Sequence, residues 1–361
     1  SKGHVALRKF DHDGKYVRTL MPPGADVPPE KLSGLAFIEY EAGQKAVHGV
    51  EVEQTVADRG NLLSGLGGYR IAYLQPTISA GRLYWANAGA VPGQDSLLHY
   101  LATDGTTTVP GLKGTPLAPG LVHRTPHTAA SPDGQWIYLS GLTPPGQPGL
   151  PLVYRRAREG KEAAEPFLGK FTTKPLSSGR KSVSAEPGSD NLAFNNPTGA
   201  ACDAAGRIYV CDYFNNRVQV FTPDGKYAKT IPADRPKLVQ VHQKTGAIYV
   251  QHAGRVQGKS TARLTKFKSF DDPGEDFHDD GMTALVLALD SWTSQPRLWT
   301  AGESITVHGA GLFGSGPSVR IFEEVGKAFK KIADFDEAAE QDAGANYLGR
   351  WPGDASGKVV C

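Results

Sequence analysis

Residues 196–231, NPTGAACDAAGRIYVCDYFNNRVQVFTPDGKYAKTI, contain four short runs of strand-forming residues separated by turn residues. Apolar and polar residues alternate within 207–211 and within 217–221, which is the period of a half-buried strand. The dipeptide Asp224-Gly225 between two such runs is a strong signal for a β-hairpin. This stretch therefore predicts a four-stranded antiparallel sheet.

The same stretch resembles an NHL repeat, the unit of one family of β-propellers. The resemblance rests on Pro-x-Gly at 197–199, a D-x-x-G turn at 203–206, I-Y-V-x-D ending at Asp212, and N-x-R-V-x-x-F followed by an x-D-G turn. It implies a ring of such sheets, the blades, around a central channel that the first strand of each blade lines. Binding sites in such a ring are expected in the loops at one end of the channel.

The two ends of the chain look like two halves of one more repeat. Residues 5–20 match the second half of the 196–231 unit, and residues 354–361 match its first half. A blade shared by both termini leaves no sheet edge exposed. We therefore predict an all-β, six-bladed propeller over 1–361 as a single domain, with a poorly assigned insertion at about 21–68; a seven-bladed ring is the alternative.

The composition excludes several classes of protein. The formal net charge of +2 does not favour nucleic acid as a partner, and no apolar run is long enough to span a membrane. Of the three cysteines, Cys202 and Cys211 flank a turn in a register that does not allow them to bridge. Buried free thiols are expected instead.

The channel mouth is the expected binding surface. Aligning residues 125–130 with 196–201 places His127 at the position of Thr198 near the start of a channel-lining strand. Polar residues at equivalent places, before first strands or after second strands, complete the predicted binding set: His127, Thr198, Lys237, Asn87 and Asp212.

Two interpretations of the polar residues stay open. His127, His252 and Asp212 form a reasonable ligand set for Ca²⁺ or Zn²⁺, and the resemblance implies a metal in the channel for those family members that are lyases. Alternatively, the histidines are hydrogen-bonded parts of a polar pore, and Asp212 with Arg217 fixes a turn.

The sequence carries no catalytic signature such as G-x-S-x-G, H-E-x-x-H or a P-loop. The expected function is therefore a non-catalytic binding or scaffold propeller for a protein, peptide or glycan. A metal-dependent lyase or hydrolase is one alternative, and a structural subunit of a larger redox or surface assembly is another. The resemblance implies a bacterial protein with an extracellular or periplasmic location, and a propeller that is part of a longer polypeptide or a multi-subunit complex.

Overall fold

The computed structural model of the chain is all-β. It describes residues 7–335 except 22, 25, 40–42, 44, 51–74, 87–96, 118–121, 144–149, 161, 176–180, 283, 285, 292 and 302–318. The residues described form twenty-six strands, one short α-helix and short 3₁₀ turns.

Five sheets of four antiparallel strands form the blades, and in each the strands lie in the order of the sequence. The first sheet contains β5 (Thr77–Ser79), β6 (Arg82–Ala86), β7 (Leu97–Ala102) and β8 (Thr115–Pro116). The second contains β9 (Val122–Ala130), β10 (Trp136–Thr143), β11 (Val153–Ala157) and β12 (Glu165–Leu168). The third contains β15 (Pro197–Cys202), β16 (Ile208–Asp212), β17 (Arg217–Phe221) and β18 (Tyr227–Pro232). The fourth contains β19 (Leu238–Val241), β20 (Ile248–Val256), β21 (Lys259–Phe267) and β22 (Glu275–Asp280), and the fifth β23 (Val286–Asp290), β24 (Arg297–Ala301), β25 (Val319–Val325) and β26 (Ala328–Asp334).

Three two-stranded sheets and the helix accompany the blades. They are β1 (Leu7–Phe10) with β2 (Tyr16–Met21), β3 (Leu35–Glu39) with β4 (Lys45–Val50), β13 (Thr172–Pro175) with β14 (Lys181–Ser184), and α1 (Val109–Lys113). The β13–β14 hairpin lies within 172–190, a segment rich in Lys, Ser, Gly and Pro.

The third sheet shows why the alternation in the sequence produces stacked blades. Every residue of β16 is buried. Ile208 and Val210 pack in a core shared with the second sheet, whereas Tyr209 and Cys211 pack in a core shared with the fourth. Because successive side chains of a strand point to opposite faces, one short strand contributes to two cores at once.

Gly199 allows the innermost strands of the third and fourth sheets to approach closely. A Cβ at this position would lie 2.5 Å from the Lys237 carbonyl oxygen, and the Gly199 N–H donates to the same oxygen over 2.9 Å. The glycine of the Pro-x-Gly motif is thus required by a backbone contact between blades.

The innermost strands are joined in a closed circuit of hydrogen bonds. The Thr128 N–H and Oγ1 both donate to the Gln75 carbonyl, at 3.0 and 2.8 Å, which joins the second sheet to the first. The Leu287 carbonyl of the fifth sheet accepts from two side-chain amides: that of Gln240 over 3.1 Å and that of Gln75 over 3.3 Å. The ring thus closes from the fifth sheet to the first through the Gln75 side chain.

The prediction of six blades, with seven as the alternative, is wrong, because the described residues form five four-stranded blades. The β1–β2 hairpin was assigned to a sixth blade. It forms a two-stranded sheet between the fifth and first sheets: Arg297 pairs with Asp13 at 2.6 Å, and the Lys9 ammonium donates to the Thr103 carbonyl over 3.2 Å. Residues 354–361, its expected partner, lie outside the described residues.

The prediction for two of the cysteines is confirmed. Cys202 and Cys211 are both free and buried. Cys202 lies opposite Ile208, whereas Cys211 lies opposite Val218, so the register separates the two thiols. Burial raises the pKa of both thiols, which keeps them protonated and unreactive.

Candidate functional site

The top face is defined here as the end of the propeller at which the innermost strand of each sheet begins. In the third sheet it consists of the segment before Pro197, the loop from Tyr213 to Asn216 and the segment after Pro232. Asn87, predicted to belong to this face, lies outside the described residues.

His127 is buried in the circuit of innermost strands. Its side chain is 5% exposed, and its Nδ1 lies 3.4 Å from the Gln75 Oε1. Burial lowers the pKa of His127 from 6.5 to about 4, so the imidazole is neutral at physiological pH. His127 therefore belongs to the channel wall, where it can donate or accept hydrogen bonds. Because the imidazole is neutral, it does not attract an anionic ligand by charge.

Thr198 and Lys237 lie next to each other where the third and fourth sheets meet. The Thr198 hydroxyl donates to the Pro236 carbonyl over 3.1 Å, and the Thr198 carbonyl accepts a hydrogen bond from Ser140 of the second sheet. The Lys237 N–H donates to the Gln251 carbonyl over 2.8 Å. Lys237 is exposed and Thr198 is half-buried, so these two positions reach the solvent side of the channel wall.

Asp212 is the centre of a buried network that fixes the loops of the third sheet. Its carboxylate accepts from the Asn195 N–H over 2.7 Å, from the Asn215 amide over 2.8 Å and from Arg217 Nε over 2.8 Å. Burial raises the pKa of Asp212, and these three donors oppose the rise. With its oxygens occupied in this way, Asp212 acts as a structural group, as the second interpretation of the sequence expects.

Arg217 extends the same network to the segment before β15. Its guanidinium donates to the carbonyls of Ser189 over 2.8 Å, Asp190 over 2.7 Å and Ala193 over 3.0 Å. The Phe214 N–H donates to the Asn195 carbonyl over 3.1 Å. The two segments that flank the channel mouth at this sheet are thereby held as one rigid unit.

The structure does not bring the predicted metal ligands together. The His252 Nε2 lies 2.8 Å from the Thr265 hydroxyl, His127 contacts Gln75, and Asp212 contacts Arg217. Within the part of the chain that is described, no group of three or more His, Cys, Asp and Glu side chains is arranged to hold a metal ion. His127, His252 and Asp212 thus do not form one site for Ca²⁺ or Zn²⁺.

Two apolar side chains on the rigid loops are exposed, and one of them, Leu192, was missed by the sequence reasoning. Phe214 is 59% exposed and Leu192 is 50% exposed, although their backbones belong to the hydrogen-bonded unit around Asp212 and Arg217. The sequence offered a signal, since Phe214 follows the second strand directly, at a loop position. Half-buried Tyr213 contacts Phe214 edge-to-face, and we call this pair, together with Leu192 on the adjacent hydrogen-bonded segment, the apolar patch.

The fourth sheet has an extension that rises from the top face. β20 and β21 pair with each other over nine residues each, from Ile248 opposite Phe267 to Val256 opposite Lys259. Gln257 and Gly258 connect them with φ values of 48° and 79°, which is a two-residue type I′ turn. We call residues 253–262 the arm.

Helices in the described part of the chain are short, and none of them has the length and apolar character needed to cross a lipid bilayer.

One family model and several solved structures match parts of this chain. The family model of the NHL repeat matches residues 194–221, which confirms the resemblance of the third sheet to this family. No curated protein matches the sequence. Hydrazine synthase of Kuenenia stuttgartiensis is similar in fold with a TM-score of 0.42 and 12% identity, over 72% of this chain and 64% of that chain.

Two further solved structures are similar at the same level. A functionally unknown protein from Desulfotomaculum acetoxidans DSM 771 has a TM-score of 0.42 and 11% identity, over 82% of this chain and 77% of that chain. Streptogramin B lyase has a TM-score of 0.40 and 12% identity, over 83% of this chain and 76% of that chain. No activity can be transferred from these structures at such low identity.

Proposed function

We propose that this NHL-repeat propeller is a non-catalytic binding module that holds a polypeptide partner on its top face at the third and fourth sheets. The observation that carries the proposal is the apolar patch. Phe214 is 59% exposed on a loop whose backbone is fixed by the buried Asp212 network. A large apolar side chain that is both rigid and exposed contributes nothing to the core that folds the chain.

Rigidity is what makes the apolar patch suitable for binding. Ordering a loop on association costs free energy, and a loop that is already ordered in the free protein avoids that cost. Exposed aromatic residues at the centre of an interface commonly contribute most of its binding free energy. Phe214 and Tyr213, in edge-to-face contact at 4.9 Å, are such a preorganised pair.

The chemistry of the surface favours a polypeptide over a glycan. Leu192 adds aliphatic surface, which sugar hydroxyls cannot use, whereas an apolar side chain of a peptide can be buried against it. Lys237 is exposed and adds a charged side chain to the top face on the channel side of the apolar patch. An extracellular or periplasmic location is part of the proposal and is supported by the family resemblance.

The test is a selection of random-sequence peptides on the immobilised protein, followed by affinity measurements on variants. Peptides selected by the wild type are expected to bind Phe214→Ser at least about tenfold more weakly, since loss of one central aromatic contact costs about 1.5–2 kcal/mol. Leu192→Ser should weaken the same peptides by a smaller factor.

Val325→Ser is the matched control. Val325 is 56% exposed, nearly as much as Phe214, but it lies in the β25–β26 turn at the opposite end of the propeller. Its substitution should leave the affinity unchanged. The proposal is wrong if the selected peptides bind Phe214→Ser as well as the wild type, or if a glycan array yields ligands and the peptide library does not.

A further inference from the structure

The arm extends beyond both strands that flank it. β19 begins at Leu238, which lies opposite Gln251, so β20 continues past it from Ala253 to Val256. On the other side, β22 ends at Asp280 opposite Arg263, so β21 begins before it. Among the residues described, no strand pairs with the outer edges of the arm near its turn.

The direction of the backbone groups on this edge follows from two hydrogen bonds. The Gln251 carbonyl accepts from the Lys237 N–H over 2.8 Å, and the Ala253 N–H donates to the Asp234 carbonyl over 2.8 Å. Backbone groups of alternate residues in a strand point to the same edge. The N–H and carbonyl of Arg255 therefore point to this edge too, beyond the end of β19.

The hydrogen bonds between β20 and β21, on the other edge of β20, lead to the same direction for the backbone groups of Arg255. In a two-residue hairpin the residues that flank the turn, Val256 and Lys259, hydrogen-bond to each other. Arg255, one residue earlier, must then direct its backbone groups outward. Edge strands with such free groups are templates for the pairing of a further strand.

The charge around this edge is positive. Arg255 and Lys259 are exposed, and no carboxylate of the described residues is within ion-pair distance of either. They occupy successive cross-strand pairs, so each face of the arm carries one of them. Lys237, also exposed, flanks the same edge about 10 Å away along β20 at 3.3 Å per residue.

Carboxylates near the base of the arm do not cancel this charge. Asp280 is held by Arg263 in a two-point contact at 2.7 and 2.9 Å, with Arg263 lying across Gly254, where a Cβ would be 2.7 Å from its Nε. Asp234 is 3.3 Å from the guanidinium of its neighbour Arg235. The arm itself thus presents cations alone.

We propose that the Arg255 edge of the arm binds an extended, acidic peptide as an added β-strand. Backbone hydrogen bonds from Arg255 recognise the extended chain, and Arg255 and Lys259 select acidic side chains. This inference rests on the proposed function, because it specifies the chemical class of polypeptide that the same face takes. A polysaccharide or nucleic acid lacks the alternating amide groups that such an edge pairs with.

The probe is a fluorescent peptide of repeated Glu-Glu-Thr units, which carries glutamates on both faces when extended, titrated with the whole protein at low ionic strength. Three matched peptides serve as comparisons: lysine in place of glutamate, the glutamate peptide in scrambled order with proline inserted, and the glutamate peptide N-methylated at its backbone amides. The first peptide is expected to bind, and the other three are expected to bind at least about tenfold more weakly. Retained binding of the N-methylated peptide would reduce the interaction to charge alone and overturn the proposal.

Variants locate the binding on the arm. Arg255→Glu should weaken the glutamate peptide about tenfold or more, and Lys259→Glu should weaken it several-fold. Lys327→Glu is the control, since Lys327 follows Gly326 in the turn at the opposite end of the molecule just as Lys259 follows Gly258. Equal affinity for the wild type and for Arg255→Glu overturns the proposal; if Arg255→Glu does not fold, Lys259→Glu decides it.

The outcomes separate this inference from the proposed function. Phe214→Ser is expected to leave the glutamate peptide bound, because the apolar patch is not part of the arm. If peptides from the random library require Phe214 while the glutamate peptide does not bind, this inference fails and the proposed function stands. If the glutamate peptide binds at Arg255 and no peptide requires Phe214, the proposed binding at the apolar patch is wrong and the proposed binding at the arm is retained.

Discussion

The third and first sheets of this propeller differ in the polar side chains that hold their loops in place. The third sheet uses charged residues of the repeat: Asp212 and Arg217 join its loops, and Asp203 accepts from the Arg207 N–H over 2.9 Å and from the Tyr209 hydroxyl over 3.0 Å in its first turn. The first sheet instead buries a histidine. His99 stacks on Trp85 at 5.6 Å, and its Nδ1 lies 3.0 Å from the Leu112 carbonyl.

The neighbours of the two sheets explain this difference. The third sheet packs between two complete blades and shares a core with each of them. The first sheet shares one core with the second sheet, but its other core is made with the β1–β2 hairpin and the segment around Leu32 and Leu35. In place of a long outer strand it has β8 of two residues, preceded by α1.

The charged residues of the repeat join the loops of the third sheet, which has a blade on both sides. At the junction between the fifth and first sheets, the contacts do not come from the repeat motif. Phe10 meets Phe335 edge-to-face at 5.0 Å, and Leu20 and Met21 pack on the first sheet. Asp212 and Arg217 of the third sheet thus form a buried ion pair, whereas His99 of the first sheet is buried against Trp85 and the Leu112 carbonyl.

The largest expected effect is from Asp212→Ala in the third sheet. The substitution leaves Arg217 and the Asn195 N–H without their acceptor, and breaking a buried pair in this way costs about 3–5 kcal/mol. Urea unfolding should show a loss of that size in the free energy of unfolding. Asp224→Ala, in an exposed turn of the same sheet, is the control and should change little. Equal effects of the two substitutions would mean that the network contributes no stability.

Acid should weaken the first sheet before the third. Burial lowers the pKa of His99 from 6.5 to about 4, so the unfolded chain takes up a proton near pH 6.5 and the folded protein only near pH 4. This stability is fully present above pH 6.5 and is lost as the pH falls toward 4, by about 3 kcal/mol at 1.36 kcal/mol per unit. Asp212 changes the free energy of unfolding in the opposite direction as the pH falls, because its pKa is raised in the folded protein.

Amide hydrogen exchange between pH 6.5 and 4 measures this difference. Strand β7 should lose protection as the pH falls, while β16 keeps it. His99→Gln removes the proton uptake by this residue and should make the free energy of unfolding less dependent on pH. A pH dependence from His127 should remain over the same range. A pH dependence that is the same in His99→Gln and the wild type would contradict the assignment.

The smallest expected effect is at the closure of the ring. Gln75→Met keeps the volume of the side chain but removes the amide that reaches the Leu287 carbonyl, which costs about 1 kcal/mol. Exchange should rise at β5 and at β23 without a change in the third sheet. Gln243→Met, which removes an amide donor to the Cys202 carbonyl, tests a comparable bond away from this closure. Loss of protection in all sheets alike would show that the ring does not open at this point.

Part of the polar network at the channel mouth was accessible from the sequence. The alignment of His127 with Thr198 stays a prediction; Ser140, the strand partner of His127, donates to the Thr198 carbonyl. The structural interpretation of Asp212 and Arg217 also followed from the motif. Exposure was not predictable in this way: Phe214 and Leu192 fit a core pattern as well as a surface one, and only the course of the loops decides between them.

The sequence by itself determined the local unit of this protein. Alternating apolar residues, turn glycines and the Pro-x-Gly motif specify a four-stranded sheet because they act over a few residues, through side-chain direction and backbone sterics. The number of blades was decided only by the tertiary structure. The β1–β2 hairpin and the Gln75 amide join the fifth sheet to the first, and Gln75 lies 212 residues before Leu287, so no local pattern encodes their contact. The length of the arm was likewise decided by where β19 and β22 stop, since an edge is free only when no neighbouring strand covers it.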